Sequence, residues 1–242
     1  MKKYFCTPLN ALYLLIIIIL SFAFITVDFK TDYDSSVIKF GIMIVVFSYV
    51  VINGFKNIII EENIKISTLY ILAITFTLIS DYFLLLKDGS YNIPLTTFII
   101  AHLMYSLIIF YLDNKKSYKW LIIEKSIILL VGIIALILTK EVLLFLSIIY
   151  ALNLIMNTIN SIILFAKKKE INNLFLMIGY ILFVGCDICV FISNTDQIIT
   201  PTNDIINMEN MAICIIWLFY APSQYLLGLS INRGENNEEE NN

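Results

Sequence analysis

Five ionisable side chains lie inside long apolar runs of this 242-residue chain, where few are expected. Asp81 stands in LISDYFLLL, His102 in FIIAHLMY, Glu124 and Lys125 in LIIEKSIILL, and Asp187 in LFVGCDICVFIS. Two carboxyl groups held out of water and close together tend to share a proton rather than both ionise. Such a pair suits general acid–base work or proton relay. The cysteines on either side of Asp187, Cys186 and Cys189, raise a third option, metal binding. A zinc hydrolase site needs about three protein ligands, usually histidines. The chain has one histidine, which excludes a tri-histidine site and leaves mixed Cys/Asp/His ligation as the weakest reading, so no metal and no cofactor is expected. Neither a phosphate-cradling glycine loop nor a Ser–His–Asp arrangement is present.

Uncharged polar residues accompany them: Tyr105, Tyr220 and Gln224, and a stripe in which Asn153, Asn157 and Asn160 follow Tyr150 at i+3, i+7 and i+10. Each has a structural alternative. A lone aspartate can simply hydrogen-bond a neighbouring helix, and a lone histidine can be a packing residue. Asparagine stripes commonly join helices in lipid. Glu124 and Lys125, one turn from a helix end, are explained by snorkelling to the interface.

The elements that must position these groups follow from composition. The chain is 60% hydrophobic and 14% charged, with a mean hydropathy of +0.87. A soluble domain runs near 45–50% apolar, so the expected class is an all-α polytopic membrane protein. Eight stretches are long and apolar enough to span: 9–27, 37–54, 66–86, 93–112, 120–138, 141–165, 172–194 and 209–231. They must be helices, because backbone groups in lipid have to satisfy one another. The first follows a basic start without an A-x-A site, so it reads as a span rather than a cleaved signal. Residues 1–232 form one expected transmembrane domain. The net charge of −3 owes its negative part to the tail, 233–242, which is acidic and expected to be disordered. No basic patch of the kind that binds nucleic acid is present.

Orientation comes from the cations. Eleven of the sixteen Lys and Arg residues lie on the side holding both termini and the loops after the second, fourth and sixth spans. Lys30, Lys39, Lys87 and Lys140 lie on the other side. The bias predicts cytoplasmic termini in a bacterial-type cell membrane. Asp81 and Asp187 each fall ~15 residues, or ~22 Å, from the cytoplasmic start of their spans. His102 lies ~14 Å from the outer edge of its own span, with Tyr220 at similar depth. Polar groups from four helices are thus expected in one layer, in the outer half of the membrane.

The order of these residues resembles the YhhN-like family of membrane proteins, which includes lysoplasmalogenases. LISDYFLLL matches the family's Gly-Asp helix through Asp81, and FIIAHLMY matches through Phe98, His102 and Tyr105. Tyr150 and Met156 echo a Tyr…Met stretch. GYILFVGCD supplies Gly179, Phe183 and Asp187, FYAPSQYLL supplies Tyr220 and Gln224, and VIKF supplies Lys39. Ser80, Cys186 and Phe40 depart from the usual glycine, serine and proline, and Pro222 interrupts the last motif. The resemblance covers residues 37–230. It implies a hydrolase that cleaves the vinyl-ether bond of a lysophospholipid with water. Asp81 and Asp187 would be the acid and base, with His102, Tyr105, Tyr220 and Gln224 in support and Lys39 at the head-group phosphate.

Two rival classes remain beside it. Paired intramembrane carboxyls also suit a proton-coupled carrier of lipid or small molecules, with Pro222 as a kink for gating. An intramembrane aspartyl protease ranks last, because the run before Asp187 is Val-Gly-Cys rather than Gly-x-Gly.

Overall fold

A computed structural model describes residues 8–30, 34–60, 64–87, 89–113, 117–199 and 205–232. Every element in them is a helix: α1 Pro8–Lys30, α2 Ser36–Ile60, α3 Ile64–Leu85, α4 Asn92–Leu112, α5 Tyr118–Thr139, α6 Val142–Lys167, α7 Ile171–Ile199 and α8 Ile205–Leu229. The first seven are long and apolar enough to cross a membrane, and α8 has an apolar stretch over Ile215–Leu229. The helix ends lie within a few residues of those expected, except that α2 runs on to Ile60 rather than 54 and α7 is also longer. There the polar run after Ser193 stays helical to Ile199, since extending an existing helix costs far less than nucleating one. The tail at 233–242 lies outside the described residues.

Neighbour relations define the architecture. α2 packs on α3, α3 on α4, α6 on α7 and α7 on α8, while α4 passes over α5 to pack on α6. α2 also meets α8, which closes a ring of six helices: α2, α3, α4, α6, α7 and α8. α1 lies against α2 and α8. α5 packs on α6, outside the ring, joined to it by a tight turn in which Lys140 takes a left-handed conformation at φ 60.

Small residues set the closest approaches, as expected where lipid supplies no hydrophobic drive between helices. A Cβ added at Gly179 of α7 would lie 3.1 Å from the backbone nitrogen of Leu227 in α8. One added at Gly228 would lie 2.9 Å from Val50 of α2. At the start of α2, the Asp34 carboxylate accepts from the Ser36 N–H at 2.9 Å and from its hydroxyl at 2.6 Å. These bonds from Ser36 hold the Asp34 pKa below the ordinary carboxylate value.

Candidate active site

The ring interior gathers polar groups from five helices. Asp81 is the eighteenth residue along α3, and Asp187 the seventeenth along α7. Both therefore sit about 25 Å from the lysine-rich end of the bundle. Asp81 is 3% exposed, and the Tyr220 hydroxyl of α8 lies 2.8 Å from each of its carboxyl oxygens. Beside it, the Ser80 hydroxyl donates to the Pro94 carbonyl at 2.7 Å and ties α3 to α4. Asp187 is half-buried, and its polar neighbour is the Tyr150 hydroxyl of α6. Both carboxyls lie within electrostatic reach of Tyr150 and Cys186. Asp81 is bonded to Tyr220 rather than to Asp187.

Aromatic rings form the walls. Phe183, one turn before Asp187, packs against Tyr220 at 5.5 Å, His102 at 5.2 Å and Phe98 at 6.2 Å between centroids. His102 is buried against Tyr150 at 5.3 Å and Tyr180 at 6.1 Å. Both of its ring nitrogens lack a hydrogen-bond partner. Buried polar atoms are nearly always paired, which sets this imidazole apart. Its backbone is held firmly: Asn157 donates to the His102 carbonyl at 2.8 Å, and Ser106 donates to Asn157 at 2.6 Å.

A family model, the YhhN family, matches residues 34–231. The chain belongs to the YhhN family. The match runs from the cap of α2 through the end of α8 and includes all seven site residues expected from the sequence. Neither a curated protein nor a solved structure matches the chain.

In this YhhN protein the seven residues do not share one environment. Asp81, Tyr220, His102 and Asp187 line the carboxyl layer. Tyr105 lies deeper, packed between Tyr70 and Tyr180 at 6.1 and 5.9 Å. Gln224 is fully buried one turn beyond Tyr220. Its amide nitrogen is 3.5 Å from the Ser223 hydroxyl, and its oxygen has no partner. Lys39 is buried in an ion pair with Asp28 of α1 at 2.8 Å, and its ammonium lies 5.5 Å over the Phe24 ring. Phe24 leads to Trp217 and Trp217 to Tyr220, so an aromatic path joins Lys39 to the Asp81 side.

Sequence reasoning did not single out Tyr150 as a site residue. Its signal was its place at the head of the asparagine stripe, one helical turn from Asn153. Glu124 and Lys125 do not snorkel. They pair with each other at 2.9 Å, and Lys125 donates to Asn153 at 2.9 Å while Glu124 accepts from Asn160 at 3.0 Å. In lipid, fixed partners on α6 satisfy the two charges better than a bent path to the interface does. The stripe therefore joins α6 to three neighbours: Asn153 and Asn160 to α5, and Asn157 to α4 and to the Tyr180 hydroxyl of α7. Among the described residues, no three His, Cys, Asp or Glu side chains are grouped to hold a metal ion. Cys186 and Cys189 are free thiols.

Proposed function

We propose that this YhhN protein is an intramembrane hydrolase that cleaves the vinyl-ether bond of lysoplasmalogens. One observation carries the reading: two carboxyl groups at matched depth lie within reach of the same side chains, each against the hydroxyl of a different tyrosine. Vinyl-ether hydrolysis consumes one water and yields an aldehyde and an alcohol. A protonated carboxyl delivers H⁺ to the vinyl carbon remote from oxygen, giving an oxocarbenium ion. The second carboxyl, ionised, stabilises that cation and then takes a proton from the attacking water. The hemiacetal collapses when its hydroxyl proton leaves and the ether oxygen is protonated. Both protons can pass through one carboxyl pair, so the pair ends each turnover as it began.

Asp81, sealed behind Tyr220, is the member suited to hold the proton. Half-buried Asp187 is the member suited to meet water. Because the hydroxyls of Tyr220 and Tyr150 stand at the two carboxyls, proton exchange between the acids runs through the substrate, water or these hydroxyls. His102, with both nitrogens unpartnered, orients the water. Lys39 reaches a head-group phosphate only by giving up part of its contact with Asp28.

The test uses purified protein in detergent with alkenyl and acyl lysolipids, measuring aldehyde and fatty-acid release. Wild type should release aldehyde. Asp81→Asn and Asp187→Asn should each lower the rate about 100-fold or more, the scale of a lost general acid or base. Aldehyde release that persists in both variants removes the mechanism, and no release from any lipid removes the activity.

A further inference from the structure

The lysine-rich end of the ring is closed by side chains. Toward the lysine-rich end, below the carboxyl layer, lies a tyrosine layer. Tyr70, Tyr105 and Tyr180 pack edge to face and are at most 2% exposed. Beneath it, the residues that end α8 are bonded to three other ring helices. The Tyr70 hydroxyl of α3 is 2.8 Å from the Ser230 hydroxyl. Asn57 of α2 donates to the Ile231 carbonyl at 2.8 Å, and Asn172 of α7 donates to the Asn232 carbonyl. The Asn232 amide donates to the Tyr49 hydroxyl at 2.8 Å, and Tyr49 in turn donates to Asn10 of α1 at 3.0 Å. This is a floor: apolar rings above, and a paired polar network below.

The lysine-poor end is the nearer one to the carboxyls. Asp187 is half-buried where Asp81 is not. Asp81 is four residues from the end of α3, about 6 Å, whereas about 25 Å of packed helix separates it from the lysine-rich end.

We infer that the carboxyl layer is blind-ended, reached only from the lysine-poor face, and that it takes a single-chain amphiphile from that leaflet. The ligand class rests on the hydrolase reading, whereas the one-sided access rests on the packing alone. The polar floor must part for any path to the other face. The buried hydrogen bonds in it, Tyr70 to Ser230 and Asn57 to Ile231, would part together.

The test therefore reads access without turnover. Asp187→Cys and Val190→Cys, the second one turn along the same helix face, are produced in right-side-out and in inside-out vesicles. Lys169→Cys, exposed at the lysine-rich end, reports orientation. A quaternary-ammonium methanethiosulfonate is added outside the vesicles, and modified cysteines are located by mass spectrometry. At least one of the two α7 cysteines should react about tenfold or more faster from the face opposite Lys169→Cys, because a permanently charged reagent crosses lipid poorly. Reaction from the Lys169→Cys face, from both faces, or from neither face at both positions overturns the inference. A positive result with no aldehyde release from detergent-solubilised wild type would overturn the hydrolase reading and leave the one-sided access standing.

Discussion

At the scale of the residue, the two carboxyls differ in what surrounds them, and so do their expected sensitivities. Tyr220 serves Asp81 through a buried hydroxyl, whereas Tyr150 serves a half-buried aspartate. Tyr220→Phe removes the hydrogen-bond partner of a fully buried acid. That should cost about 1.5–3 kcal/mol of stability, read as a lowered midpoint in thermal unfolding, and should reduce kcat with KM little changed. His102 provides a sharper separation of structure from chemistry. A buried imidazole with two orphaned nitrogens contributes nothing to stability beyond its ring, and its cage is aromatic. His102→Phe should therefore keep or raise the unfolding temperature, since replacing an unsatisfied polar group by an apolar one of similar shape is neutral or stabilising. Aldehyde release should nonetheless fall about 100-fold, the scale of a misplaced reacting water. A variant equally stable and fully active would show that the imidazole only packs.

At the scale of the element, intramembrane polar pairs and close glycine contacts hold the helices in register. Glu124 and Lys125 fix α5 to α6 through Asn160 and Asn153. Lys125→Met strands Glu124 in a mostly buried seam and should cost about 3 kcal/mol, whereas removing one charge alone is worse than removing both. The double change to Met and Gln should recover most of that loss, measured as the coupling energy of a double-mutant cycle in thermal unfolding. At the mouth of α2, Asp34 has a lowered carboxyl pKa because Ser36 bonds to its ionised form. Its contribution is present above the ordinary carboxylate pKa and is lost as pH falls through the lowered value. Asp34→Ala should lower the unfolding midpoint at neutral pH by the worth of a helix cap, about 1 kcal/mol. The difference from wild type should shrink as the solution is acidified below pH ~4. The helices themselves were legible in the sequence, because a run of ~20 apolar residues has one stable backbone solution in lipid. The register of Asp81 with Asp187 was legible too, since a fixed rise per residue converts position into depth. Which helices are neighbours was not. Nothing in the hydropathy of α5 says that α4 passes over it to meet α6. That choice is made by side chains such as Asn157, whose partners on α4 and α7 are 51 to 55 residues before it and 23 after. The partners of Glu124, Lys125 and Lys39 were hidden for the same reason: each is satisfied by a residue on another helix, and sequence spacing carries no trace of such a meeting.

At the scale of the whole molecule, the floor separates a hydrolase from a carrier. Alternating access requires both ends of a substrate path to open in turn, with repeats or half-bundles moving against each other. Here the end of α8 is bonded to α2, α3 and α7, and α1 is bonded to α2 and α8 through Asn10. No half of the bundle can rock without parting several of these buried bonds together. An enzyme has no need to part them, because product leaves by the way substrate came. The two readings therefore respond in opposite directions to a weakened floor. Tyr49→Phe removes one hydroxyl that bonds Asn10 on one side and Asn232 on the other, and it leaves the ring stack with Tyr13 and Tyr225 in place. A hydrolase with a structural floor should lose about 1–3 kcal/mol of stability, and amide exchange should quicken at the ends of α1 and α8. Its kcat and KM for alkenyl lysolipid should hold, because the change lies a tyrosine layer away from Asp81 and Asp187. A carrier whose floor is a gate should instead move substrate faster once the gate is weakened. Such a gain, read as quicker equilibration of a lysolipid across proteoliposomes bearing Tyr49→Phe than across those bearing wild type, would reverse the assignment.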